Sequence, residues 1–198
     1  AANNGIEAIT ELIQSAKAVA QSAKSAEGTT DKAVLANQFN DMLDQMDSIS
    51  EDSIYKGINL MGGTGETLTV EFDQTGDSKI TLTGFHGSTS SDALNINDAA
   101  NSWGDASNIE ISISQLDSAR DELRLEATKL SSGINIITAR QSFTTNMINT
   151  FRDGAADLTN ADLNEEGASM LMLQTRQQLG TTSLSLASQA AQSVLQLF

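Results

Sequence analysis

From Ile109 to Phe151 the sequence keeps an apolar seam for 43 residues without a proline. Ile109, Ile113, Leu116, Leu123, Ala127, Leu130, Ile134, Ile137, Ile148 and Phe151 recur at helical spacing, the pattern of an amphipathic helix. At about 1.5 Å per residue, such a helix is roughly 65 Å long. A compact body of this chain length has a radius of gyration of about 16 Å, hence a width of roughly 40 Å. The helix does not fit inside that body. The seam therefore predicts an elongated rod.

The rest of the chain supports long helices. None of the 198 residues is proline, where an average chain carries about ten and each interior proline costs a helix about 3 kcal/mol. A first helix is predicted over 6–24, with Ile6, Ile9, Ile13, Ala16, Ala20 and Ala23 on one stripe. "EGTTDK" breaks it, and Thr30 or Asp31 is placed to cap a second helix over 31–52. That helix repeats Leu35, Phe39, Met42, Met46 and Ile49. The short turn sets the two antiparallel.

The middle of the chain changes period. "ETLTVEF" (66–72) and "KITLTGF" (79–85) alternate apolar and polar residues around "DQTGDS", which reads as a β-hairpin. Leu68, Val70 and Phe72 are expected to face Ile80 and Leu82. Residues 86–108, rich in Ser, Asn, Asp and Gly, read as a surface loop with one short helix. The fold class expected is mostly α: an elongated rod of long, antiparallel, coiled-coil-like helices with one small β-hairpin, plus a C-terminal helix. "RDGAADLTNAD" is expected to interrupt the rod before that last helix, which begins near Asp162.

The tail is unusual for a terminus. No charge follows Arg176, and the stretch closes on Val194, Leu195, Leu197 and Phe198. Eleven of its 22 residues are Ser, Thr or Gln, so it is not a membrane span, and no run elsewhere approaches the required ~18 apolar residues. Leu184, Ala187, Ala191, Val194, Leu195 and Phe198 form an apolar stripe. Each large side chain in it, fully buried, contributes about 1.5–3 kcal/mol. The stripe needs a surface to bury against, either the protein's own body or another chain.

Site chemistry is absent from the sequence patterns. There is no cysteine, which removes disulfides and thiolate chemistry. His86 is the only histidine, and "GFHGS" around it carries no nucleophile motif. "GGTGET" (62–67) lacks the Gly-Lys-Ser/Thr of a phosphate loop and reads as a turn. Asp41, Asp44 and Asp47 are expected to line a solvated face rather than to hold a cation. The net charge of −15 disfavours nucleic acid and anionic lipid. An enzyme is the least expected class, and no cofactor or metal is implied. What remains is a protein whose surfaces meet other proteins.

The segments themselves resemble bacterial flagellin. "ADLNEEGASMLMLQTRQQLGTTSLSLASQAAQSVLQLF" is similar to that family's carboxy-terminal region, and "LDSARDELRLEATKLSSGINIITARQSFTTNMINTF" (116–151) to its long C-terminal rod helix. "ITELIQSAKAVAQSAKS", "LANQFNDMLDQMDSIS" and "YKGINLMGG" resemble the end of the first rod helix, the second rod helix and the element after it. The order is right along nearly the whole chain, and the style is closest to alphaproteobacterial flagellins. On that resemblance 1–155 is the rod domain, with 62–108 its hairpin and loop insert, and 156–198 the C-terminal inner-tube helix segment. The sequence begins where the family's first rod helix is already under way, so a piece lacking the N-terminal inner-tube helix is expected.

The resemblance implies a structural subunit of the extracellular flagellar filament, used in motility. Its partners would be other flagellin subunits, the flagellar type III export apparatus, an export chaperone on the C-terminal helix, and the filament cap and hook-associated proteins. Self-assembly or chaperone binding falls to Leu163, Met170, Leu171, Leu179, Leu184, Leu186, Ala187, Ala191, Val194, Leu195 and Phe198. Rod packing falls to Ile6, Ile9, Ile13, Leu35, Phe39, Met42, Met46, Ile49, Leu116, Leu123, Leu130, Ile134 and Ile137. The family's receptor-recognised motif carries an Arg where "AKAVAQ" here has Ala16, which argues against recognition by the vertebrate flagellin receptor. The alternatives are a hook–filament junction protein and, from another class, a secreted helical adhesin or binding module.

Overall fold

A computed structural model describes residues 1–159 and 163–195. The fold is mostly α. Helices α1 (Ala2–Ser25) and α2 (Thr29–Asp52) are followed by strands β1 (Thr67–Glu71) and β2 (Lys79–Thr83), then α3 (Ala106–Thr159) and α4 (Leu163–Leu195). The chain divides into two compact units, Ala1–Ser142 and Phe143–Phe198.

The first unit is built on heptads. α1 buries Ile6, Ile9, Ile13, Ala16, Ala20 and Ala23, α2 buries Ala36, Phe39, Leu43, Met46 and Ser50, and α3 buries Ile109, Ser112, Leu116, Ala119, Leu123, Glu126, Leu130 and Gly133. Every step in these rows is three or four residues, the seam of a coiled coil. Lys17 pairs with Asp117 at 2.6 Å and Lys24 with Glu110 at 2.9 Å. Seven residues up α1 are thus seven residues down α3, and the two run antiparallel.

The expected seams need three corrections. In α2 the buried row is rotated by one residue: Phe39 and Met46 are buried, but Leu35, Met42 and Ile49 only flank the core beside Ala36, Leu43 and Ser50. Ala36 and Ser50, the small members of that row, let neighbouring helices approach, and Leu35 and Ile49 pack beside them at the rim. In α3 the seam closes through Ser112, Ala119, Glu126 and Gly133, whose small or polar character hid them. Its buried part ends at Gly133, for Ile134 is 49% exposed and Ile137 only half-buried.

Helix limits shift as well. The residue preceding α2 is Gly28, whose carbonyl accepts from Lys32 N, so neither Thr30 nor Asp31 caps it; Asp31 instead places a negative charge in the first turn, where the helix dipole favours it. At the other end Asn59 Nδ2 donates to the Ser50 and Glu51 carbonyls, satisfying acceptors that the last turn leaves free. The interruption expected over "RDGAADLTNAD" does not begin at Arg152: α3 continues to Thr159, inside that segment, since Gly154 inside a helix costs only about 1 kcal/mol.

The hairpin has the expected register, with Leu68 opposite Leu82 and Val70 opposite Ile80. Asp73 holds its turn by accepting from Thr75 Oγ1, Gly76 N and Ser78 N. These bonds, that from Thr75 foremost, keep its carboxyl below the usual range. Arg140 of α3 lies 5.4 Å from the centre of the Phe72 ring.

Residues 84–105 are not a free surface loop. They form a strap down α2, burying Phe85, Leu94, Ile96, Ala99 and Trp103. Asp47 accepts from Thr89 and Asn40 accepts from Ala99 N. The short helix expected here is the tight turn Ala100–Trp103, with Asn101, Ser102 and Trp103 at positive φ. Trp103 is fully buried against Phe39, ring centres 4.9 Å apart, and its Nε1 donates to Ser112 Oγ.

Candidate assembly surface

Two stretches carry apolar side chains that nothing in the described structure covers. The first is the second half of α3. The heptad row that is buried from Ile109 to Gly133 continues in sequence as Ile137, Met147, Phe151 and Leu158, with Ile148 beside it. In the second unit Phe143, Met147, Ile148, Phe151 and Leu158 are all exposed, Phe151 at 68%. A seam of this kind is stable in water only when a partner helix meets it.

The second stretch is α4. All of its residues whose side chains are described are exposed. Met170, Leu171, Leu179, Leu184, Leu186, Val194 and Leu195 lie between 57% and 77% exposed, and Ala187 and Ala191 are exposed too. Leu163 opens the helix, and Phe198 lies outside the described residues. Sequence reasoning missed Met172 and Leu173, equally exposed. A run of four apolar residues at 170–173 was the available signal, since consecutive positions cover a whole helical turn.

The distribution around α4 matters more than the number. At 3.6 residues per turn, Met170, Leu173, Leu184, Ala187, Ala191, Val194 and Leu195 share one face. Leu171, Met172, Leu179 and Leu186 fall on the opposite one. A helix apolar on one face lies on a surface; one apolar on both is suited to burial among several neighbours. Between Arg176 and Leu195 the polar positions are Ser, Thr and Gln, which hydrogen-bond without the penalty of burying a charge. Thr175, Thr182 and Ser193 already turn their hydroxyls back onto helix carbonyls.

Asp41 and Asp44 are exposed as expected, but Asp47 is a structural anchor of the strap. Among the described residues no group of three or more His, Asp and Glu is placed to hold a metal ion, and no helix is long and apolar enough to cross a membrane.

Residues 107–198, from the start of α3 through the tail, match the family model described as the bacterial flagellin C-terminal helical region. The whole chain aligns with a flagellin of Brucella melitensis at 28% identity, over 72% of that protein. Residues 107–198 thus carry the flagellin C-terminal helical region, and the chain as a whole is similar to bacterial flagellins. Flagellin FljM of Caulobacter vibrioides is 26% identical over 96% of this chain and 68% of its own length. Flagellin C of Rhizobium meliloti reaches 38%, over 39% of this chain and 26% of that protein. These are alphaproteobacterial flagellins, the group that the tail resembles. The fold is that of flagellin too: the crystal structure of Bacillus cereus flagellin superposes with a TM-score of 0.59 at 19% identity, covering 75% of this chain and 86% of that one. Neither a hook–filament junction protein nor an adhesin is favoured by these relatives.

Proposed function

We propose that this flagellin-like chain is a structural subunit of the extracellular flagellar filament, and that it joins other flagellin subunits through α4 and the exposed length of α3. The observation that carries the reading is α4 itself: a helix without charge beyond Arg176, apolar on opposite faces, with every described side chain in solvent. Burying one of its large apolar side chains contributes about 1.5–3 kcal/mol. Several buried together offset the cost of ordering and association. The family is one of structural proteins, and the first unit supplies a packed, strapped body to carry the helix.

The same exposure frames the steps before assembly. A bare apolar helix on a soluble subunit is an aggregation hazard, so an export chaperone covers α4 until the chain passes through the type III export apparatus. Incorporation then takes place among the filament cap and hook-associated proteins. Residues 1–155 act as the rod domain and 156–198 as the segment that enters the inner tube.

The test compares the full chain with a version ending at Arg176, each labelled and mixed with sheared filament seeds. Pelleting of the label with the seeds is expected for the full chain only. Equal pelleting of both excludes α4 as the assembly element.

A further inference from the structure

Away from α4, a groove of about 440 Å³ runs along the outward side of α1 and α3. Its floor is Ile6, Thr10 and Ala127, and its walls carry opposite charges: Glu7 and Glu11 on α1, Arg120 and Arg124 on α3. Arg120 leans toward Asp117 and Asp121, at 3.4 and 3.3 Å. Among the described residues Glu7, Glu11 and Arg124 form no ion pair. Glu7 and Glu11 stand one helical turn apart, where like charges repel.

We propose that this groove docks a second copy of the chain, groove to groove. With acid on one wall and base on the other, the groove is complementary to itself. A two-fold axis along it lays α1 of each copy over α3 of the other at the same level, the isologous contact typical of paired identical chains. The register set by Lys17–Asp117 and Lys24–Glu110 places Glu7 level with Ala127 and Glu11 level with Leu123. Arg124 of each copy then falls between Glu7 and Glu11 of the other. Each set of unpaired charges meets its opposite over the Ile6 and Ala127 floor. The pairing uses none of α4, so it goes beyond the filament reading and stands apart from it.

Charge reversal tests it on the full chain. The variant Glu7→Lys/Glu11→Lys has two basic walls, and Arg120→Glu/Arg124→Glu has two acidic ones. Tagged first variant is expected to capture the second at least about tenfold better than it captures itself in ~50 mM salt, with the preference shrinking in ~0.5 M salt. Wild-type chains are expected to capture one another, with the same salt dependence. Equal capture in all combinations, as association through α4 alone would give, overturns the groove and leaves the filament reading standing. Absence of capture between the two variants also overturns it. Circular dichroism checks that both variants keep wild-type helix content. Should either lose it, the Gln variants at the same positions replace them: loss of capture supports the groove, and unchanged capture overturns it.

Discussion

Asp47 of α2 takes two hydrogen bonds from one residue of the strap, Thr89: its backbone N–H at 2.6 Å and its hydroxyl at 3.0 Å. Seven residues earlier Asn40 takes the N–H of Ala99 at 2.9 Å. These equivalent heptad positions hold 22 residues with no regular strand partner against α2. Hydrogen bonds to a charged group are worth about 1.5–3 kcal/mol. Asp47→Ala is therefore expected to lower the unfolding free energy of the first unit by about that amount, read by urea titration. Faster hydrogen exchange at Thr89 would accompany it. A loss within ~0.5 kcal/mol, the usual range for exposed surface changes, would show that the strap stays in place without Asp47.

Trp103 anchors the other end of the strap. It is fully buried although it follows two residues at positive φ and has φ +58° itself, a backbone state costing roughly 1–2 kcal/mol per residue. Contact with Phe39 and burial of the indole must outweigh that cost. Trp103→Ala is expected to destabilise the first unit by about 3–5 kcal/mol. Because it is the chain's one tryptophan, wild-type emission reports the same event: it should be blue-shifted when folded and move red in a single step on unfolding.

Gly133 sits where α3 meets the hairpin, and a Cβ there would collide with Leu82 Cδ2. Ala at 133 gains about 1 kcal/mol of helix propensity and loses about 1–3 kcal/mol to overpacking. A double-mutant cycle separates the two. Gly133→Ala alone is expected to be neutral or destabilising, whereas in the Leu82→Ala background it should stabilise by up to ~1 kcal/mol. Equal effects in both backgrounds would show that Leu82 does not occupy the site.

The α1–α3 contact has a pH signature. The hydrogen bond from Lys24, and then its charge, holds the Glu110 carboxyl below its ordinary range. A depressed carboxylate contributes stability that is fully present above its unfolded pKa and lost as pH falls through the folded one. Lys24→Gln is therefore expected to lower Tm at neutral pH, with the gap from wild type closing as pH drops below the usual carboxylate range. The Glu110 side-chain NMR titration should move up in the variant. A gap that persists undiminished at low pH would assign the loss to packing of the lysine stem instead.

The α1 stripe was legible because Ile6, Ile9 and Ile13 are large and nothing polar interrupts their row. The hairpin was legible for a similar reason: Leu68, Val70, Ile80 and Leu82 alternate cleanly around a turn. The α3 seam was harder to read. Glu126 is an acidic residue in the core row whose carboxyl group meets Lys129 at 2.5 Å, and hydropathy gives no sign of such a position. The strap was illegible because its polar composition is spent on long-range hydrogen bonds to Asp47 and Asn40, which no local pattern encodes. In α4 the uncharged stretch was plain, but ranking one stripe above the rest concealed the opposite face. Exposure on all sides became visible only with the helix in place.

Those opposite faces make the sharpest demand on the filament reading. If α4 lies on the side of one neighbour, only one face matters. If it is enclosed, both do. Leu173→Ser with Leu184→Ser alters the first face, and Leu179→Ser with Leu186→Ser the second. All four side chains are exposed, at 62% or more, so neither pair should change the stability of the free chain by more than ~0.5 kcal/mol. In a filament each buried leucine lost forfeits about 1.5–3 kcal/mol, so either pair should lower affinity for seeds by more than about a hundredfold. Pelleting with sheared seeds over a range of chain concentrations measures it. A large loss from one pair and none from the other would place α4 on a single surface and remove it from the interior of the assembly.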